Sequence, residues 1–151
     1  MKMSENDSVQ KQGIPQENSV VSKEYELIPI DKLHEHEAIN PDNLVLRERD
    51  IIESGGVVPI VADREYLVIL NGHHRYNALK KMGCKCVPVY LVDYLSDNVR
   101  LELWPESSVC KLSKTDVIKM GLGRGVFPPK TTRHRFKFKF SRQRVPLAEL
   151  M

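Results

Sequence analysis

A glycine followed by three basic side chains is the part of this sequence best suited to binding an anion. The run Asn71-Gly72-His73-His74-Arg75 follows an apolar, β-prone segment at 65–70, and apolar residues recur at helical spacing after it. The pattern predicts a strand, a sharp turn at the glycine and a helix over 71–82. Because a helix start offers free N–H groups and a positive dipole end, the segment favours phosphate binding. A surface basic cluster at an ordinary helix start is the alternative.

The run Lys130-Thr131-Thr132-Arg133-His134 is a second candidate for phosphate binding. It places two hydroxyl groups beside up to three cationic donors. A basic loop that leads into a basic strand is the alternative, and the run taken by itself favours that alternative. Trp104, the only tryptophan, precedes a proline at a predicted strand end. Its ring belongs either to the core or to the wall of a ligand pocket.

The run His34-Glu35-His36-Glu37 carries the residue types of a metal site without the spacing of one. Its histidines are two positions apart rather than four positions apart on a helix. A general base, by contrast, needs only one well-placed carboxylate. We therefore favour acid–base chemistry here, and the sequence pattern does not choose between Glu35 and Glu37.

Strands and helices alternate through the chain, which predicts an α/β (α+β) fold with a small mixed β-sheet and packed helices. Asn40 caps a helix that has Pro41 at its first position and an inward face of Leu44, Ile51 and Ile52. Residues 126–134 are predicted to form a loop. The predicted helices cover 41–53, 71–82 and 116–120, and the predicted strands cover 25–30, 57–62, 65–70, 86–92, 98–104 and 135–140.

The length and composition of the chain predict one domain with a tail. It has 151 residues, 41% of them hydrophobic, which is enough for a core. The polar segment 1–22 is predicted to be disordered, so the domain covers 23–151. A net charge of +3 is well short of a typical nucleic-acid-binding composition.

Cysteine usage and hydropathy predict a cytoplasmic protein without a membrane span. Cys84, Cys86 and Cys110 are odd in number, and the first two lack the spacing of a zinc or thioredoxin-type motif. We find no signal peptide and no apolar run of about 18 residues.

The order of these elements resembles the ParB/sulfiredoxin-like fold and, within it, the free L-serine kinase family. The resemblance covers about 25–104 and 124–150. The motif at 129–134 is the most specific of those that carry the resemblance, because ParB partition proteins do not have it. The motifs are His36-Glu37, Glu53-Ser54, Gly72-His73-His74-Arg75, Asp93-Tyr94, Trp104, Val126-Phe127 and Pro129-Lys130-Thr131-Thr132-Arg133-His134.

The resemblance implies transfer of a phosphoryl group from ADP or ATP to the hydroxyl of free L-serine or a similar small amino acid, with Mg²⁺ bridging the phosphates. It makes Glu37 the catalytic base and Trp104 part of the amino-acid pocket, together with Thr132 and His134. It also implies a C-terminal loop that closes the site. The implied nucleotide-phosphate contacts are Ser54, Asn71, Gly72, His73, His74, Arg75, Lys130, Thr131, Thr132, Arg133 and His134.

The sequence also departs from the family pattern. The family usually has aspartate where Asn71 stands, its chain between the tryptophan and the C-terminal loop is longer, and its segment between Ser54 and Pro59 is longer too. A non-catalytic nucleotide-binding switch module is therefore the alternative function. Sulfiredoxin chemistry needs a cysteine where His73 stands, and we expect no ParB-type helix-turn-helix domain after the nucleotide domain. The choice of ADP or ATP, of serine or threonine, and the oligomeric state stay open.

Overall fold

The computed structural model of the protein describes residues 24–151. The predicted disorder of 1–22 lies outside the described residues. Among these residues, two short 3-10 helices, Ile30–Lys32 and Leu147–Glu149, accompany three α-helices. The α-helices are α1 (Pro41–Ser54), α2 (His73–Lys81) and α3 (Lys114–Leu122), and the strands are β1 (Glu26–Pro29), β2 (Gly56–Val57), β3 (Ile60–Asp63), β4 (Ile69–Asn71), β5 (Cys86–Val92), β6 (Val99–Leu103), β7 (Thr132–Phe136) and β8 (Val145–Pro146).

A four-stranded mixed sheet in the order β1-β5-β3-β4 forms the centre of the fold. Strands β3 and β4 form an antiparallel pair, and α2 then crosses back so that β5 runs parallel to β3. β1 closes the other edge, antiparallel to β5. Two antiparallel pairs, β2-β8 and β6-β7, lie outside this sheet. The predicted mixed sheet with packed helices is confirmed.

Both faces of the sheet are covered, so there are two apolar clusters. One face packs on α1 and α2 through residues such as Ile51, Leu79 and Val89. The other packs on α3 and the β6-β7 pair through residues such as Tyr90 and Val117. Burial on both faces explains why β5 is an almost continuous apolar run rather than an alternating one.

The helix ends follow local signals in the sequence. The Asn40 side chain accepts hydrogen bonds from the first turn of α1, and Gly55 ends that helix in the left-handed conformation with φ 76°. Ser113 forms a capping box with Asp116 at the start of α3. The predicted inward position of Ile52 is wrong, because its side chain is 59% exposed and α1 turns Ile51 to the core instead.

Three predicted strand boundaries are also wrong. The segment 57–62 is split into β2 and β3, because the chain breaks at Pro59 where no N–H is available for a ladder. The returning strand covers only Ile69–Asn71, after Leu67 takes a positive φ of 57° in the turn. The C-terminal strand begins at Thr132, so most of the predicted threonine loop is strand β7.

Candidate functional site

The turn between β4 and α2 requires glycine. Gly72 has φ 108°, a left-handed conformation, and a Cβ built there would lie 2.5 Å from Cγ2 of Ile60. The start of α2 therefore lies directly against β3. The first N–H groups of α2 have no partners inside the helix, so they are available to an anion.

His73 and His74 use their rings to join α2 to the segment before α1. Nε2 of His73 accepts a hydrogen bond from the backbone N–H of His36 at 3.2 Å, and Nε2 of His74 accepts one from Asn40 at 2.9 Å. Burial lowers the pKa of both imidazoles, that of His73 well below its ordinary value. The two rings are thus neutral hydrogen-bond acceptors near pH 7, and their expected role as cations is not what the geometry gives.

Arg75 is the cation of the turn. Its guanidinium donates to the backbone carbonyls of Val58 and Pro59 at 3.1 and 3.0 Å and to Oδ1 of Asn71 at 3.0 Å. Burial lowers its pKa to about 10, with repulsion from neighbouring arginines adding to the effect. Arg75 therefore stays charged at neutral pH, with dipoles rather than a carboxylate as its partners.

Three more arginines line the pocket at this helix start, a cavity of about 320 Å³. Arg47 comes from α1, and Arg142 and Arg144 come from the segment between β7 and β8. Sequence reasoning missed all three, because positions 47 and 142–144 are distant in the chain. The one available signal was the pair of arginines spaced by one residue near the C-terminal end.

Ser54 lies beside this pocket at the end of α1. Its hydroxyl donates to the carbonyl of Gly56 at 3.0 Å and accepts a hydrogen bond from Arg144 at 3.1 Å. Arg144 also forms an ion pair with Asp50 at 3.0 Å. Ser54 thus holds an arginine of the pocket wall.

Glu37 is held by the C-terminal segment. Its Oε1 accepts hydrogen bonds from the backbone N–H and hydroxyl of Thr132 at 2.8 and 2.9 Å, and its Oε2 accepts one from the backbone N–H of Lys130 at 3.2 Å. Nε2 of His36 lies 2.9 Å from the same threonine hydroxyl. Since Thr132 has one hydroxyl proton and gives it to Glu37, we assign the proton of His36 to Nε2. The result is a chain of hydrogen bonds from His36 through Thr132 to Glu37.

His134 in β7 and Thr131 just before it are two further buried residues of the predicted threonine loop. His134 is buried, with Nδ1 2.9 Å from the carbonyl oxygen of Leu70 and Nε2 2.8 Å from the hydroxyl of Tyr94. Burial lowers its pKa to about 3, so both ring nitrogens serve a neutral core histidine rather than facing a ligand. Thr131 is also buried, and its hydroxyl donates to the carbonyl of Pro128 at 2.6 Å.

Arg133 faces the other way, toward Trp104. Its guanidinium carbon lies 4.4 Å from the centre of the indole ring, in a cation–π arrangement, and it donates to Glu102 at 3.2 Å. Trp104 is only half-buried, so its ring is a wall at the surface rather than part of the core. The exposed ammonium of Lys130 forms an ion pair with Glu106 at 3.7 Å.

Three histidines connect the two candidate runs. The ring of His36 lies 4.6 Å from that of His73 and 5.9 Å from that of His134, centre to centre. The glycine turn, the His-Glu segment and β7 therefore meet at one place. Glu35, the other candidate base, is instead engaged by the amide of Asn77 at 2.6 Å.

Within residues 24–151, no three histidine, cysteine or acidic side chains converge as a metal site. The three cysteines are free thiols. Over the same residues, no helix is long and apolar enough to span a bilayer.

Comparison with known proteins finds no matching family model. The chain is 39% identical over 98 residues to an ATP-dependent L-serine kinase of Staphylothermus marinus, covering 58% of this chain and 37% of that protein. It is 30% identical over 86 residues to an ADP-dependent L-serine kinase of Thermococcus kodakarensis, covering 54% and 36%. Over rather more than half of its length, the chain is therefore similar in sequence to L-serine kinases.

The fold agrees with this relationship. A solved structure of a free serine kinase in complex with AMP matches with a TM-score of 0.79 at 19% identity, over 87% of this chain and 95% of that one. The predicted fold is confirmed by this likeness. The aligned regions span little more than a third of the length of the two curated serine kinases.

Proposed function

We propose that the protein is a kinase that transfers a phosphoryl group from ADP or ATP to the hydroxyl of free L-serine or a similar small amino acid. One observation carries the proposal. A helix start suited to phosphate is joined through His73 and His36 to the carboxylate of Glu37, which suits a general base. The names of the relatives support the same reaction.

Phosphate binding is proposed at the start of α2. The backbone N–H groups of the first turn and the guanidinium of Arg75 supply donors and positive charge. Gly72 lets the backbone approach the phosphate, and Asn71 orients Arg75. His73 and His74 contribute by fixing the helix start, since their Nε2 atoms already accept backbone hydrogen bonds.

Glu37 is the proposed base. It accepts the proton of the serine hydroxyl while the hydroxyl oxygen forms a bond to phosphorus. The bond from phosphorus to the bridging oxygen breaks, and its electrons leave with the nucleotide, as AMP from ADP or ADP from ATP. Three hydrogen bonds from Lys130 and Thr132 fix the direction of the carboxylate.

The amino acid is proposed to bind between Trp104 and β7. The guanidinium of Arg133, stacked on the indole, suits the α-carboxylate of serine, and Thr132 lies next to the base. His134 supports this strand from behind through Leu70 and Tyr94.

We propose that Mg²⁺ enters this site bound to the phosphate groups of the nucleotide. The oxygen donors at the pocket, on Asn71 and Asp50, already accept from Arg75 and Arg144, so phosphate oxygens and water would supply most of the ligands of Mg²⁺. When bound, the ion neutralises charge that develops on the transferred phosphoryl group.

We further propose that residues 23–151 form a single domain and that the protein acts in the cytoplasm.

Phosphorus NMR tests the proposed reaction. The protein is incubated with Mg²⁺, ATP or ADP, and in turn L-serine, L-threonine and homoserine. We expect a new phosphomonoester signal with serine, matched by loss of the terminal phosphate signal of the donor. No phosphorylated amino acid with either donor, although nucleotide binds, would exclude the kinase.

A nucleotide-binding switch module is the second candidate, and one observation favours it. Among the described residues, the three hydrogen bonds to the Glu37 carboxylate all come from the C-terminal segment, so the residue also serves as an anchor for that segment. A switch module binds nucleotide and changes the protection of residues 126–136 in hydrogen exchange, without any phosphorylated product.

A further inference from the structure

The pocket at the start of α2 carries more positive charge than one phosphate group requires. Four arginines line it, and among the described lining residues Asp50 is the one carboxylate. The two lining histidines are neutral near pH 7, because burial lowers their pKa values. The excess charge therefore comes from guanidinium groups, which stay charged at any ordinary pH.

Two of the four arginine side chains bond to groups within residues 24–151, and the other two do not. Arg75 donates to Val58, Pro59 and Asn71, and Arg144 pairs with Asp50 and bonds Ser54. Within the described range 24–151, the side chains of Arg47 and Arg142 form no hydrogen bond and no ion pair. Both are close enough to Arg75 for their charges to lower its pKa.

Arg47 and Arg142 are exposed, and convergence on one cavity distinguishes them from scattered basic residues on a surface. Arg47 comes from α1 and Arg142 from the segment before β8, and both line one cavity with the half-buried Arg75. Guanidinium groups gathered in this way repel one another, and an anion between them removes the repulsion. The N–H groups of α2 with Arg75 suffice for a first phosphate group, so the other two arginines have capacity for a second.

We propose that Arg47 and Arg142 bind a second phosphate group, so that the pocket takes a polyphosphate chain, as in a nucleoside diphosphate or triphosphate, in preference to a monophosphate. The proposal rests on the proposed function in placing a nucleotide here. Beyond that function, it assigns the contacts of the second phosphate group to two residues, Arg47 and Arg142.

Titration calorimetry with AMP, ADP and ATP at fixed ionic strength tests this assignment. Arg47→Gln and Arg142→Gln remove one charge each and keep a polar side chain. Each variant should bind ADP and ATP about tenfold or more weakly, the loss expected for one charge-assisted hydrogen bond. Binding of AMP should change by less than about twofold, because its single phosphate stays on α2 and Arg75.

Arg49→Gln is the matched control. Arg49 lies on α1 two residues after Arg47, is exposed, and does not line the pocket. It should leave all three affinities unchanged, and thermal melting should show that all variants are folded. Equal losses for AMP, ADP and ATP, no loss at all, or an equal effect of Arg49→Gln would overturn the assignment.

Inorganic pyrophosphate separates this proposal from the proposed function. Wild-type protein that binds pyrophosphate through Arg47 and Arg142 but binds no nucleotide would keep the polyphosphate site and remove the kinase. Protein that binds nucleotides with no dependence on either arginine would do the reverse. Binding of neither pyrophosphate nor nucleotide would overturn both.

Discussion

At the scale of single residues, hydrogen-bond partners separate side chains that face a ligand from those that hold the site together. His73, His74 and His134 each direct ring nitrogens to protein groups. Arg75 also bonds protein groups, and it adds positive charge to the pocket beside the backbone N–H groups at the start of α2. A motif of cationic residue types can therefore work through neutral rings that fix geometry.

Glu37→Gln should reduce turnover far more than nucleotide binding. The amide cannot accept the serine proton, and loss of a general base costs about 10²–10⁴-fold in rate. Glutamine keeps an oxygen for Thr132 but turns an N–H toward the N–H of Lys130, so stability should fall by about 1 kcal/mol. Steady-state kinetics and nucleotide calorimetry on the same variant measure the two effects.

Glu35→Gln is the control for this prediction, since Glu35 is engaged by Asn77 and not by Thr132. If Glu35→Gln removes turnover and Glu37→Gln does not, the roles of the two carboxylates are reversed.

Gly72→Ala should destabilise the fold and abolish nucleotide binding. Its Cβ would lie 2.5 Å from Ile60 in a backbone of φ 108°, so overpacking and backbone strain add to about 2–4 kcal/mol. Gly83→Ala is the matched control, because Gly83 has φ 80° and open space around it. Denaturant unfolding of both variants isolates the contact with Ile60, and equal losses would show that backbone strain alone is responsible.

At the scale of elements, strand β7 brings the C-terminal run to the glycine turn. Its pairing with β6 aligns Thr132 with Leu103 and His134 with Leu101, and alternation turns Thr132 and His134 inward while Arg133 faces Trp104. A flexible loop would not fix these directions, whereas a strand does so at each residue.

Thr132→Val should lower turnover while preserving the strand. It removes the hydroxyl that links His36 to Glu37 and keeps the side-chain shape. Thr131→Val also removes a buried hydroxyl bond, to Pro128, so both variants should lose about 1 kcal/mol of stability. Kinetic comparison then asks whether only Thr132→Val is slow, and equal rates would show that the hydroxyl bond to Glu37 has no part in catalysis.

At the scale of the whole molecule, buried neutral histidines make the fold sensitive to acid. Burial lowers the pKa of His36 to about 4 and that of His134 to about 3, against about 6.5 in an unfolded chain, and His73 is lowered as well. Between these values the unfolded chain binds more protons than the folded one. The stabilisation is therefore complete above pH 6.5 and is lost as the pH falls toward 4.

Denaturant unfolding between pH 7 and pH 5 tests this expectation. The free energy of unfolding should fall by up to about 1.4 kcal/mol per pH unit for each histidine involved. His134→Asn should be less stable at pH 7 and show a shallower slope. A slope that does not change in this variant would assign the acid sensitivity to other groups.

The sequence by itself determined the local elements. The Asn40 cap, the glycine turn at Gly72 and the apolar run of β5 are set by residues within a few positions of each other, and all three are present in the structure. Motif order was enough to predict the fold. The break between β2 and β3 at Pro59 could also be predicted from the sequence, but the apolar residues on either side of the proline favoured one continuous strand.

Only the tertiary structure decided which side chains meet. Arg47 joins Arg142 in one pocket, and Glu37 bonds Thr132 95 positions further along the chain. It also decided that the histidine rings are neutral, because desolvation and hydrogen-bond partners come from distant segments. The sequence shows which residue types are available to a site, whereas the charge state of these side chains and their convergence in space depend on packing between elements.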